Sequence, residues 1–243
     1  MRIHFVVHES FEAPGAFETW GRRLSYTMTY SRVYEGDSLP ANLSGIDVLI
    51  VMGGPQSAST PRSECPHFDA AGEKLLIAQA IAANRVVIGV CLGAQLMGEA
   101  LGAACTRSPE KEIGKFPITL TDEGAGHAML GHFGQTIDVG HWHSDMPGLT
   151  AHCKVLAHSQ GCPRQIIEYG PLAFGLQCHM EFTPEVIELL IAASEQELTG
   201  LSQHRFVQQP EVLRRNDYRS MNEMLYVFLD KLVATYRGYR LFT

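Results

Sequence analysis

Cys91 stands in Gly89-Val90-Cys91-Leu92-Gly93, a G-x-C-x-G pattern. It follows a run of β-branched residues (Val86, Val87, Ile88) and precedes a helix-forming segment over 94–101. Strand, sharp turn, helix is the thiol counterpart of the G-x-S-x-G nucleophile elbow. Such a turn strains the backbone of its central residue, and glycines two positions away on each side remove Cβ atoms that would collide. The sulfur is thereby set at a helix N-terminus, where partial positive charge favours an anion. Taken alone, the segment also suits a buried strand-end cysteine packed as a small hydrophobe.

A reactive thiol needs a base, and the base needs a group to hold it. His179-Met180-Glu181 directly follows a strand-like segment over 172–178. In a strand, residues i and i+2 face the same side, so the carboxylate can orient the imidazole and stabilise the imidazolium. His179 is one of 11 histidines, and its spacing to Glu181 gains meaning only beside Cys91. Attack on a carbonyl also needs donors for the oxyanion. Gly53-Gly54-Pro55 ends a buried strand read over 47–52, at the edge where open α/β sheets bind ligands. The N–H of Leu92 is the other natural donor. By itself, Gly53-Gly54-Pro55 is an ordinary turn. His141 and His143 form an H-x-H pair without a third ligand at plausible spacing. They read as one packing and one loop histidine, and we expect no metal and no other cofactor.

These groups need a scaffold. The first half alternates strands (3–7, 27–34, 47–52, 86–90) with helices (17–26, 68–84, 94–101), which predicts a parallel sheet with helices on both faces. Short β-like pieces follow at 113–121, 136–139, 154–157, 165–168 and 172–178, separated by Gly, Pro and Asp turns. They predict a meander-like antiparallel addition. Thr183-Pro184-Glu185 opens a helix running to about 198. A loop is read over 200–210, then a last amphipathic helix over 216–236, whose Met and Phe stripe is core packing.

Composition excludes several function classes. A formal charge of -7 argues against nucleic acid as a partner. The longest apolar runs are strand-sized, so no membrane span is expected, and residues 3–7 read as a first strand rather than a signal segment. Six cysteines without a C-x-x-C pair suit reduced thiols and a cytoplasmic location.

Gly-Gly-Pro after a buried strand, Gly89-Val90-Cys91-Leu92-Gly93-Ala94-Gln95, and His179-x-Glu181 further on resemble, in that order and spacing, the class I (triad-type) glutamine amidotransferases. The triad-bearing part covers about 46–182. Pro14-Gly15, Trp142-His143-Ser144-Asp145 and the helical tail over about 200–243 resemble stand-alone members related to the amidotransferase domain of GMP synthase. The resemblance implies one domain over 1–243 with a three-layer αβα, flavodoxin-like, mostly parallel sheet and a small antiparallel segment. It implies that Cys91 forms a γ-glutamyl thioester, His179 is base and acid, and Glu181 orients it. Gly54 and Leu92 would supply the oxyanion N–H groups. Gly53 and Gln95 would contact substrate, and Ser144 and Asp145 would match the loop that holds its α-amino and α-carboxylate ends. Ser144 replaces a glycine of the GMP synthase pattern, and Met180 a proline common between the histidine and glutamate. Cys178 stands where an aromatic is common, and no role is assigned to it.

The implied activity is release of ammonia from glutamine, either for a separate synthetase chain or not. The alternative is a stand-alone γ-glutamyl peptidase or hydrolase. A different class, stress-response and protease-like proteins with a cysteine elbow, lacks the late H-x-E. A catalytically silent binding module is disfavoured by the intact Cys91, His179 and Glu181.

Overall fold

A computed structural model describes residues 1–240 of the chain. Among them, one nine-stranded sheet runs in the order β2-β1-β3-β4-β9-β8-β7-β5-β6. Its strands are β1 (Arg2–Val7), β2 (Thr27–Arg32), β3 (Val48–Val51), β4 (Val86–Val90), β5 (Thr106–Leu120), β6 (Thr136–Met146), β7 (Lys154–His158), β8 (Ile166–Gly170) and β9 (Ala173–Leu176). From β2 to β9 every pairing is parallel. From β9 to β6 every pairing is antiparallel.

The parallel half follows from near-continuous apolar strands whose alternate residues bury on opposite faces. Ile3, Phe5, Val48, Ile50, Val86 and Ile88 pack under α1 (Ala16–Arg23) and α8 (Arg219–Arg240). Val6, Leu49, Val51 and Val87 pack under α2 (Ala70–Ala82) and α3 (Leu92–Ala100). Each such fully buried aliphatic or aromatic side chain stabilises by roughly 1.5–3 kcal/mol before the entropy of ordering it. Side-chain caps start three of the helices: Asp69 accepts from Gly72 N at α2, Thr121 from Gly124 N at α4 (Asp122–Ala125), and Thr183 from Val186 N at α5 (Pro184–Ala193).

The antiparallel part continues the same sheet rather than forming a separate piece, and its first two strands are long. β5 and β6 extend well beyond 113–121 and 136–139 because they pair with each other along most of their length, across a bulge between Arg107 and Glu112. Ser144 and Asp145, expected to match a substrate-holding loop, therefore lie near the end of a strand. His179 and Glu181, expected on the last strand, lie beyond it. His179 instead makes a two-way backbone bridge to Gly140 (2.7 and 3.0 Å). The helix expected from 183 to 198 breaks at Ser194 into α5 and α6 (Glu195–Gly200), and α7 (Pro210–Arg215) follows the loop read over 200–210. No described helix is long and apolar enough to cross a membrane.

Candidate active site

Cys91 sits between β4 and α3 with φ 49° and ψ −106°. It is one of only three non-glycine residues with positive φ among those described, in a region that costs energy and clusters at functional sites. Close packing explains its flanking glycines. A Cβ on Gly89 would lie 2.4 Å from Gly93 O, and one on Gly93 would lie 2.1 Å from Val51 O. The elbow thus presses α3 onto β3, and Gly93 N donates to Met52 O at 3.2 Å. The Cys91 thiol donates to Trp142 O at 3.6 Å.

His179 is fully buried and shares a 2.6 Å hydrogen bond through Nδ1 with Glu181 Oε1. Its Nε2 has no hydrogen-bond partner of ordinary geometry. Burial alone would lower the imidazole pKa, but the Glu181 charge and the neighbouring Cys91 sulfur hold it well above the usual histidine value. Phe182 stacks on the ring at 4.3 Å. Asn222 of α8 clamps the turn by donating to Met180 O (2.7 Å) and Phe182 O (3.1 Å). Met180 itself is buried in the core.

Gly54 lies against the elbow: a Cβ there would be 2.9 Å from Leu92 Cδ2. His8, which the sequence pattern did not single out, fixes this loop. It is fully buried, with Nδ1 2.8 Å from Gly53 O and Nε2 2.8 Å from Glu73 Oε2. Burial would lower its pKa, but the Glu73 charge and hydrogen bond outweigh that and raise it. The imidazolium then donates to both oxygens and fixes the carbonyl of Gly53.

A cleft of about 270 Å³ opens over the Cys91 sulfur. Of the expected oxyanion and substrate-contact residues, Gly54, Gln95, Ser144 and Asp145 line it, together with Trp142, while Gly53 and Leu92 do not. Gly53 lies against His179 Cε1, and Leu92 against Gly54. Gln95 donates to Gln177 at 3.2 Å, a second buried partner absent from the sequence reading. Cys178 is fully buried with its thiol toward Gln165 O, and burial pushes its pKa well up.

The structure brings the H-x-H pair a carboxylate. Glu112 Oε2 is 3.2 Å from His143 Nε2 and 3.6 Å from His141 Nδ1, and all three residues are buried. Both histidines are thus held buried on β6, and neither is a loop histidine. The three donor atoms lie within 4.8 Å of one another, close enough to hold one ion. Glu112 also accepts from Ser159 (2.8 Å), Gln165 (2.7 Å) and Gly161 N (3.3 Å), a brace behind residues 142–145. Burial would raise the Glu112 pKa, but the hydrogen bond from His143 and the histidine charges bring it below normal. Glu9, Cys65 and His67 form a second, half-buried group of the same kind. Neither could be found from spacing, because their members come from separated segments.

With this fold and cleft, the glutamine amidotransferase class-I family matches residues 19–194. The chain belongs to the class I glutamine amidotransferase family. It is 55% identical over 236 residues to the glutamine amidotransferase-like protein YfeJ of Salmonella typhimurium, covering 97% of this chain and 99% of that one. The crystal structure of SMU.1228c superposes with a TM-score of 0.94 at 49% identity, covering 96% of this chain and all of that one. GMP synthase [glutamine-hydrolyzing] of Aeropyrum pernix is 30% identical over 167 residues, which cover 66% of this chain and 30% of that protein.

Proposed function

We propose that the protein cleaves the γ-amide of glutamine, or of a γ-glutamyl compound, through a thioester on Cys91. His179 takes the thiol proton through Nε2, and the sulfur attacks the γ-carbonyl carbon. Gly54 N–H and Leu92 N–H receive the charge that develops on oxygen. The C–N bond breaks as His179 returns its proton to the leaving nitrogen, releasing ammonia or an amine. Water, deprotonated by the same imidazole, then attacks the thioester carbonyl; the C–S bond breaks, glutamate leaves, and the proton on His179 returns to the Cys91 sulfur. Glu181 keeps Nδ1 protonated and stabilises the imidazolium. Gln95, Ser144, Asp145 and the backbone at Gly53 hold the glutamyl end.

The observation that carries this reading is the free Nε2 of His179 beside a strained Cys91, with Nδ1 bound to Glu181 at 2.6 Å. The same chemistry serves ammonia supply to a separate synthetase chain and stand-alone hydrolysis of γ-glutamyl conjugates. The test is a glutaminase assay run beside γ-glutamyl dipeptides. Ammonia from glutamine as the fastest reaction supports the donor role, and faster turnover of a dipeptide supports the hydrolase. Loss of all turnover in Cys91→Ala is expected in both cases.

A further inference from the structure

The charges around the cleft do not balance. Arg107 is paired with Asp145 at 3.3 Å, and Lys111 with Glu197. Glu12 also lines the cleft beside Cys91, yet its side chain makes no hydrogen bond or ion pair with any described residue. It is only 6% exposed. An ionised carboxylate withdrawn from water without a partner is costly, so such groups are retained where a cation joins them. Burial, with the charges of Glu181 and Glu9, raises its pKa overall against the opposing charges of His179 and His8, so a further cation beside it would favour its ionised form.

Its position says which cation. A Cβ on Gly53 would lie 2.5 Å from Glu12 Oε2 and 3.3 Å from His179 Cε1. The carboxylate therefore stands on the imidazole side of the sulfur. In acyl transfer the amine departs from that side, because the imidazole protonates it. The loop carrying Glu12 is anchored to the same turn: Ala16 N donates to Glu181 O at 2.9 Å, and a Cβ on Gly15 would lie 2.3 Å from that oxygen.

Building on the proposed thioester chemistry, we infer that Glu12 forms a cation subsite for the leaving group, selecting γ-glutamyl amides of diamines or polyamines over γ-glutamyl amino acids. The carboxylate holds the free ammonium of the departing amine while the C–N bond breaks, and takes no part in the covalent steps.

Three γ-glutamyl amides of equal chain length test this: those of diaminopropane (cationic), propylamine (neutral) and β-alanine (anionic). For the wild-type protein kcat/KM should fall in that order, with about tenfold or more between the extremes, the size of one good charge contact. Glu12→Gln should bring the three within about threefold of one another. It should also keep or raise the thermal midpoint, since it replaces a buried carboxylate that no hydrogen bond satisfies with a neutral amide. A wild-type preference for the anionic amide overturns the inference. So does an equal loss on all three amides in Glu12→Gln, which would mean an effect through His179, and so does a marked fall in its midpoint. In each of those cases turnover that depends on Cys91 leaves the thioester reading standing. Turnover of all three that survives Cys91→Ala defeats both.

Discussion

Two buried histidine–glutamate groups, one at His179 and one centred on Glu112, are built from the same residue types with opposite outcomes. At His179 the carboxylate bonds one ring nitrogen at 2.6 Å and the other is left free, and the imidazole pKa rises well above normal. At His141 one nitrogen is spent on Phe116 O, and Glu112 is shared with His143, Ser159 and Gln165. Burial then dominates and lowers the His141 pKa to about 3. A carboxylate beside a histidine makes a base only if it belongs to that histidine alone and leaves a ring nitrogen open to the reacting group. Shared among several donors, it becomes a brace.

Breaking the exclusive pair should have the largest effect. Glu181→Gln is expected to lower kcat on the order of 10³- to 10⁴-fold, as loss of an orienting carboxylate does in related triads. In NMR titration the His179 pKa should fall toward or below 6.5. Breaking the shared group should act on stability instead. Glu112→Ala leaves His143, Ser159 and Gln165 without their acceptor and should cost about 3 kcal/mol in denaturant unfolding.

The two groups also pull stability in opposite directions with pH. His141 (about 3) and His4 (about 4) titrate below the unfolded value of about 6.5. The unfolded chain therefore binds protons first, and stability drops as pH falls from about 6.5 toward the folded values of about 4 and 3. His179 and His8 are raised, so their contribution is complete below about 6.5 and is lost as pH climbs above it. The midpoint of thermal unfolding should peak near pH 6.5. His141→Leu should flatten the acid limb and Glu181→Gln the alkaline one. The smallest effect is expected from Asn222→Ala, which frees two carbonyls of the His179 turn. It should cost about 1–2 kcal/mol and lower kcat only several-fold.

The sharpness of each group also decided how far it could be read from sequence. Gly89 to Gln95 and His179-x-Glu181 are local patterns, and turn chemistry or a two-residue spacing dictates their geometry. The parallel strands were legible because burial on both faces leaves unbroken apolar runs such as residues 48–51. The Glu112 brace, His8 with Glu73, and Glu12 were not legible. Each depends on residues brought together by sheet order or by a loop anchored far along the chain, such as Ala16 N on Glu181 O. The strand ends at 142–146 escaped notice because β5 and β6 support each other across a bulge, a pairing that no single-strand pattern records.

The central claim is that Cys91, served by His179, is the nucleophile toward a γ-glutamyl carbonyl. Incubation with a diazoketone analogue of glutamine, followed by peptide mass spectrometry, tests it most directly. The account predicts one adduct per chain, on the peptide containing Cys91, formed far more slowly in Glu181→Gln. An adduct on Cys178 or another cysteine, with Cys91 unmodified, would contradict it.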